Sequence, residues 1–445
     1  MPSEVRTDVV IIGAGVAGLA AARRLREHGL QCTILEARTR IGGRVLTTRD
    51  ARSPVPIELG AEFIHGDAPE LTDIAREAGL TAVDITGERW AATRGRFTAL
   101  PDFWQRIDRV LGKAKASREP DRPLAALLAE RPGGRRFARD RTLAREFVEG
   151  FHAAELDRIS ERAIADGGNP GDDPEAQRMA RFVDGYGAVV EWLAAPVRAD
   201  VRCGRVVEHV EWSPGKVIVN AIAPGTPGES FAARAAIITV PVSLLHGASR
   251  GPGAISFSPD VTAIREAAAL VAMGQVRRIA LLLDRPLLEL LAEPRRKQLT
   301  QLTFIHARGE AVPVWWTSFP LRTNLIVGWA GGPAAIALEQ YADDLAARAV
   351  ASLASALDID GRRLARHVVE SFTHDWGRDP FARGAYSYPL VGGDGAARRL
   401  ARPVRRTLFF AGEATDEEGR TATVHGAIAT GYRAAAQAAR ALVRG

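Results

Sequence analysis

Three glycines, Gly13, Gly15 and Gly18, stand in G-x-G-x-x-G spacing between a short apolar run, Asp8 to Ile12, and an amphipathic stretch, Ala17 to His28. A run that short and that apolar predicts a parallel strand buried on both faces, and the 3.6-residue periodicity after it predicts a helix. Gly29 closes the helix, and a second apolar strand, "CTILE", finishes at Glu36, 18 residues beyond Gly18. The result is a β-α-β unit with a dinucleotide-binding turn. The first glycine permits the tight turn, the second lets backbone approach a pyrophosphate, and the third lets helix and strand pack closely. The helix N-terminus adds N–H donors and the positive end of a dipole. Glu36 is placed to accept hydrogen bonds from ribose hydroxyls. Glycine spacing alone is a weak signal in a glycine-rich chain; the flanking strand, helix and acid give it weight.

With 445 residues the chain predicts two or more domains, and 46% apolar residues are ample for their cores. Net charge is +6, but acids and bases are interleaved and no aromatic–basic stripe occurs, which argues against a nucleic-acid partner. Of 59 basic residues only four are lysine: Lys113, Lys115, Lys216 and Lys297. Cys32 and Cys203 are too far apart in sequence to form a disulfide framework, and no metal-ligand spacing is present. Cys32 reads as an inert core thiol. With no apolar run of membrane-spanning length and no room for a signal peptide before the first strand, the reading is a soluble, cytoplasmic protein.

Along the chain, residues 71 to about 183 read as mostly helical, with Arg-rich breaks at "REPDRP" and "ERPGGRR". A β-rich portion follows from about Ala199, through "VRCGRVVEHVEW", a turn at Ser213-Pro214-Gly215, "KVIVNAIA" and "RAAIITVP". Beyond Pro259, "VRRIALLLD", "QLTFIH", "VPVWWTSF" and "NLIVGWA" read as strands of one sheet. The expected fold is α/β: a discontinuous Rossmann-like nucleotide domain (1–70, 186–256 and 404–445) interleaved with a mixed α+β substrate domain (71–185 and 257–403). Near the end, "LFFAGEATDEEGRTATVHGAIATGYRAA" reads as a buried strand, a turn at Gly412, a polar loop and a helix opening at Thr423 to Gly426. A strand that stops at a glycine and faces a helix N-terminus is built to hold something.

"EARTRIGGRVLT" narrows the nucleotide. A second glycine pair, Gly42-Gly43, followed by Arg44 brings another cation to the pyrophosphate, which suits a larger, permanently held dinucleotide such as FAD. Together, G-x-G-x-x-G, the E-A-R-x-R-x-G-G-R string, "ELGAEFIHG" and the C-terminal "LFFAGEAT…ATVHGA" resemble the flavin-dependent amine oxidase superfamily. That group includes monoamine and polyamine oxidases, L-amino acid oxidases and lysine-specific histone demethylases. The likeness covers most of the chain except about 71 to 180. It implies that the N-terminal unit (Gly13, Gly15, Gly18, Glu36, Ala37, Gly43) holds the ADP portion of FAD, with Arg38 and Arg44 making phosphate or ring contacts. It further implies that Val206 contacts adenine, that Gly412 and Glu413 lie beside the ribityl chain, and that Val424 offers its N–H to the flavin ring.

The same resemblance locates a reacting site in "WGRDPFARGAYSYP". Monoamine oxidases bond the flavin through a cysteine just before an aromatic residue; Ala385 stands there here, so FAD is expected to be non-covalent. Tyr386 would form one wall of an aromatic cage for a neutral amine. Where monoamine oxidases have the other wall, this chain has Thr423, as histone demethylases do. Trp376 would be a structural wall under the ring. On the strand where relatives carry a lysine near the flavin, the register puts Arg278. A guanidinium stays charged and needs planar partners, so Arg278 would pair with a substrate carboxylate or a nearby acid, or hold the same water with a different reach. His65 resembles a histidine of animal polyamine oxidases; a titrating imidazole there would set substrate protonation or anchor a distal amine, and a structural histidine is the plain alternative. Glu62 shares its loop and could attract a cation. Trp315 and Trp316 alternate faces, so at most one can reach the cavity.

The implied activity is oxidation of a small-molecule amine to an imine, with molecular oxygen reoxidising the flavin to give hydrogen peroxide. Three other readings stand beside it: an L-amino acid oxidase with an arginine clamp, a same-fold desaturase or dehydrogenase acting on a non-amine, and a low-turnover flavin-binding protein. Substrate identity and oligomeric state are not written in the sequence pattern.

Overall fold

The computed structural model describes residues 5–167, 174–223, 225–247 and 251–443. Five strands form a wholly parallel sheet in the order Val201–Cys203, Cys32–Glu36, Val9–Ile12, Ala235–Ile238, Leu408–Phe410. Start, middle and end of the chain thus meet in one sheet, as the apolar runs predicted. Parallel neighbours need crossovers, and the crossovers cover both faces. Alternation along each strand divides the side chains. Val9, Ile11, Ile34, Ile237 and Phe409 pack under the helices Val16–Glu27, Tyr186–Ala194 and Val424–Val443. Val10, Ile12, Leu35, Ile238 and Phe410 pack against a second sheet whose centre is the meander Val206–Ser213, Lys216–Ala223 and Thr226–Ala233. The two-sided cover is why Val9–Ile12, Ala235–Ile238 and Leu408–Phe410 are apolar at every position; each fully buried aliphatic side chain contributes about 1.5–3 kcal/mol.

A seven-stranded sheet stands across from this assembly. Its order is Val368–Thr373, Val276–Leu283, Leu325–Gly331, Val314–Thr317, Leu302–Ala307, Glu88–Thr93, Arg96–Ala99. The four runs after Pro259 are neighbours in it, as expected. One face, with Ile279, Leu281, Ile326, Trp315, Ile305 and Trp90, forms a core with the helix Leu345–Leu357.

The expectation of a mostly helical stretch from 71 to 183 holds for Pro69–Ala78, Phe103–Leu111, Leu124–Ala129 and Ala138–Phe151. It is corrected at Glu88–Thr93 and Arg96–Ala99, a hairpin that extends the seven-stranded sheet, and at Met179–Phe182. The reason is tertiary: Glu88–Thr93 begins with two charged residues and is only partly buried, and the strand it lies against, Leu302–Ala307, is far away in sequence.

Candidate active site

The turn after Val9–Ile12 shows why its glycines are required. Gly13 has φ +107°, and a Cβ there would lie 2.7 Å from Thr239 Oγ1. A Cβ on Gly18 would lie 1.9 Å from the Gly13 carbonyl oxygen, so the helix could not approach the strand. The helix Val16–Glu27 begins without a side-chain cap and without an acid in its first turn. Its N-terminal donors and positive dipole end are therefore left for an anion. Gly15 bridges to Gly42, bringing the second glycine pair against the first turn. Glu36 is buried and accepts from the Ala14 N–H at 2.8 Å and the Arg38 N–H at 2.9 Å, while Arg38 pairs with Asp379 at 2.7 Å. From the far end of the chain, Leu408–Phe410 stops at Gly412, whose φ of +121° favours glycine. Next to it, Glu413 receives Arg44 Nη1 at 2.8 Å, Ser387 Oγ at 2.6 Å and the Ala422 N–H at 3.0 Å. Arg44 also donates to the Ala385 carbonyl at 3.0 Å. The Arg44–Glu413 ion pair, with the hydrogen bonds to Ala385 and Ser387, thereby ties three distant stretches together.

A cavity of about 1070 Å³ runs from this turn to the seven-stranded sheet. Ala37, Val206, Trp376, Val424 and the other residues assigned to the nucleotide or to the reacting site line it, except Gly18, which sits behind the turn. The glycine turns, the uncapped helix start and the cavity's size fit a dinucleotide of FAD's dimensions.

Register explains the sheet's wall of this cavity. Arg278 lies opposite Trp329, which lies opposite Val314, opposite His306. Two residues along the same face, Trp316 lies opposite Phe304, opposite Arg89. Trp315 points to the core on the other face, so one of the two tryptophans reaches the cavity.

Arg278 is 3% exposed, and its partner is an acid of the chain itself. Its Nη2 donates to Glu62 Oε2 at 2.5 Å, and its guanidinium lies over the Trp316 ring at 5.3 Å. Glu62 also accepts from Trp316 Nε1 at 3.1 Å and pairs with Arg181 at 3.2 Å. Burial alone would push the Glu62 carboxyl up; the two guanidiniums outweigh it and hold Glu62 below its ordinary value.

Tyr386 donates its hydroxyl to the Phe151 carbonyl at 2.6 Å, and its ring stacks on Trp329 within 12° at 6.4 Å. Thr423, facing the cavity, is also occupied: its hydroxyl accepts from the Gly426 N–H at 3.0 Å and donates to the Arg420 carbonyl at 2.6 Å, capping the last helix. Thr423→Ala should cost about 1 kcal/mol of stability in thermal unfolding. Trp376 is buried, with Nε1 on the Leu59 carbonyl at 2.8 Å, in keeping with a wall.

The titrating role weighed for His65 is not what its surroundings favour. Burial, then His425 and Arg89, push its pKa down to about 4, so it is neutral near pH 7. Burial likewise pushes His152 and His425 to about 4 and His306 to about 3. A histidine whose folded pKa lies below its unfolded value of about 6.5 contributes stability above that value and loses it as pH falls. The thermal midpoint should therefore drop between pH 6.5 and 4, more steeply than in a His65→Asn variant.

Sequence reasoning missed the cavity's far wall. Phe103, Trp104, Phe147 and Phe151 come from helices whose facing directions depend on tertiary packing, and Arg89 and Trp329 come from sheet register. No helix among the described residues is long and apolar enough to cross a membrane.

Comparison with known proteins gives a consistent answer. The profile of a family described as flavin containing amine oxidoreductase matches residues 16–439. The chain is 28% identical to a probable polyamine oxidase 4 of Arabidopsis thaliana over 97% of this chain and 87% of that one. It is 26% identical to lysine-specific histone demethylase 2 of Homo sapiens, over 97% of this chain and 53% of that one. Among solved structures, putrescine oxidase bound to putrescine aligns with TM-score 0.79 at 22% identity, covering 98% of this chain and 99% of that one. Cyclohexylamine oxidase from Brevibacterium oxydans aligns with TM-score 0.78 at 20% identity, over 98% and 100%.

Proposed function

The chain belongs to the flavin-containing amine oxidoreductase family and is a flavin-dependent amine oxidase; from that premise we propose that it oxidises a small neutral amine at the carbon bearing nitrogen, using non-covalently held FAD. The observation that carries this reading is the convergence of the glycine turn, the Arg44–Glu413 pair and the stacked Tyr386–Trp329 wall on one cavity. When bound, FAD would supply the two-electron oxidant for removing a hydride equivalent from the amine's α-carbon, with molecular oxygen as the final acceptor and hydrogen peroxide as its product.

The chain's own residues hold, orient and exclude water. The turn Gly13 to Gly18, with Gly43 and the Val16–Glu27 N-terminus, would cradle the pyrophosphate, Glu36 the ribose, and Val206 the adenine. Arg38 and Arg44 would add positive charge there, with Ala37 beside them. At the other end, Gly412, Glu413 and the Val424 N–H would border the ring, where the helix dipole favours negative charge. Ala385 has no nucleophile to bond the flavin. Residues 1–70, 186–256 and 404–445 would form the nucleotide domain, and 71–185 with 257–403 the substrate domain. Two cysteines without a disulfide suit a reducing compartment such as the cytoplasm.

Tyr386 and Trp329 would present π-faces to the amine, with Thr423 leaving the opposite side wide. The neutral His65 weighs against acid–base work at that residue. The Glu62 partner weighs against an α-carboxylate clamp at Arg278, and so against the amino acid oxidase reading. It leaves Arg278 as a fixed charge beside the reacting end. Arg278→Lys should quicken reoxidation of the reduced flavin severalfold in stopped flow while leaving anaerobic bleaching by an amine in the same range. No change in reoxidation would remove Arg278 from the oxygen step.

A further inference from the structure

Seven-stranded-sheet register brings a second arginine to the cavity, far from the first. Arg89 lies on Glu88–Thr93, four strands from Arg278 on Val276–Leu283. Four strand spacings are about 19 Å at the backbone. The Arg89 guanidinium sits over Phe304 at 4.3 Å, Phe103 at 4.9 Å and Trp104 at 5.4 Å, and its Nη2 reaches the Met179 sulfur at 3.4 Å. Every other cavity-lining arginine among the described residues pairs with an acid: Arg38 with Asp379, Arg44 with Glu413, Arg205 with Glu229, Arg278 with Glu62, Arg308 with Glu146, and Arg420 with Asp416. Among the described residues Arg89 alone of this set has no carboxylate within ion-pair distance.

A charge held between aromatic rings with no counter-charge is costly to keep unless a ligand supplies one. Burial pushes the Arg89 pKa down to about 10, which leaves it charged at pH 7. The imidazoles near it, His65 and His306, are held neutral, with Arg89 itself among the causes. Glu146, another acid of the cavity wall, is spent on Arg308 at 3.2 Å. A second ammonium on the substrate would meet an unopposed cation here. A carboxylate would meet a planar fork of N–H donors backed by apolar walls.

We propose that Arg89 binds a carboxylate carried by the amine substrate remote from its reacting carbon, so that ω-aminocarboxylates are preferred over plain alkylamines and diamines; this rests on the amine-oxidation reading above. Arg89 sets specificity here and takes no part in the chemistry. The spacing distinguishes such a substrate from an α-amino acid, whose carboxylate would have to sit beside the flavin and Arg278.

The test uses the FAD-loaded enzyme. Anaerobic bleaching is measured with 4-aminobutanoate, 6-aminohexanoate and 8-aminooctanoate, each against the alkylamine and diamine of equal length, and with 2-aminooctanoate. Octanoate, which has no amine to oxidise, is titrated by calorimetry into wild type, Arg89→Gln and Arg89→Lys. The expected result is a preference for the longer ω-aminocarboxylates over the matching alkylamines. In Arg89→Gln that ratio should collapse towards one and octanoate binding weaken about 10- to 100-fold, with Arg89→Lys intermediate. A preference for diamines or for 2-aminooctanoate, or octanoate binding equal in all three proteins, overturns the assignment. Persistent oxidised flavin with every amine would instead defeat the amine-oxidation reading, and the octanoate titration would still score Arg89 by itself.

Discussion

Glu62→Ala is expected to destabilise the protein by about 3 to 5 kcal/mol, because it leaves two guanidiniums buried without a counter-charge. Arg278 is 3% exposed and its strongest partner is the Glu62 carboxylate at 2.5 Å; Arg181 shares the same carboxylate at 3.2 Å. Trp316 Nε1 would lose its acceptor too. The cost comes from the charges left behind rather than from the pair's own attraction, which desolvation largely offsets. Combining Glu62→Ala with Arg278→Met should therefore recover part of the loss. A thermal midpoint within a degree or two of wild type for Glu62→Ala would show that water reaches these charges and that the site is not the dry one described. Glu62 was legible only as an acid able to attract a cation; that the cations are Arg278 and Arg181 of the same chain depended on how two strands distant in sequence pack around it.

Gly18→Ala should have an effect of similar size and a different readout. The added methyl would lie 1.9 Å from the Gly13 carbonyl oxygen and 3.1 Å from both the Gly13 carbonyl carbon and Thr239 Oγ1. Nothing flexible is available to yield, since Thr239 Oγ1 donates to the Ile12 carbonyl at 2.9 Å and to the Gly13 carbonyl at 3.1 Å. The helix must back away from the strand, at a cost of about 3 kcal/mol or more. The turn that would cradle the pyrophosphate moves with it. Purified Gly18→Ala should carry far less FAD than wild type and melt lower. Gly150→Ala is the contrast. It lies in the helix Ala138–Phe151 with nothing within 4 Å of its Cβ, and should gain up to about 1 kcal/mol. Equal FAD content in Gly18→Ala and wild type would mean that the turn does not hold the nucleotide.

What could be read from the sequence follows from where the determinants lie. The central strands Val9–Ile12 and Ala235–Ile238 were legible because strands covered on both faces are apolar at every position, and because a glycine turn is dictated by local sterics, as at Gly13 and Gly18. The terminal strand, Gly412 and the last helix were legible for the same reason. The hairpin Glu88 to Ala99 was not, since Glu88–Thr93 mixes charged and apolar residues and its neighbour on the sheet lies far along the chain. Arg89 escaped notice with it. Thr423 lines the cavity, yet its hydroxyl is engaged in capping a helix, a use visible only once Gly426 folds back over it. For His65 the position was legible and the protonation state was not, because burial, the larger cause, and the charges of Arg89 and His425 come from packing.

The most direct test of the central claim is to titrate FAD into the purified protein and then expose the complex, without oxygen, to 8-aminooctanoate and octylamine while recording the flavin spectrum. The account predicts stoichiometric, acid-releasable FAD whose oxidised absorbance is bleached by an amine, and slower bleaching when Tyr386 is replaced by leucine. A protein that takes up no FAD, or a bound flavin that stays oxidised with every amine offered, would contradict it.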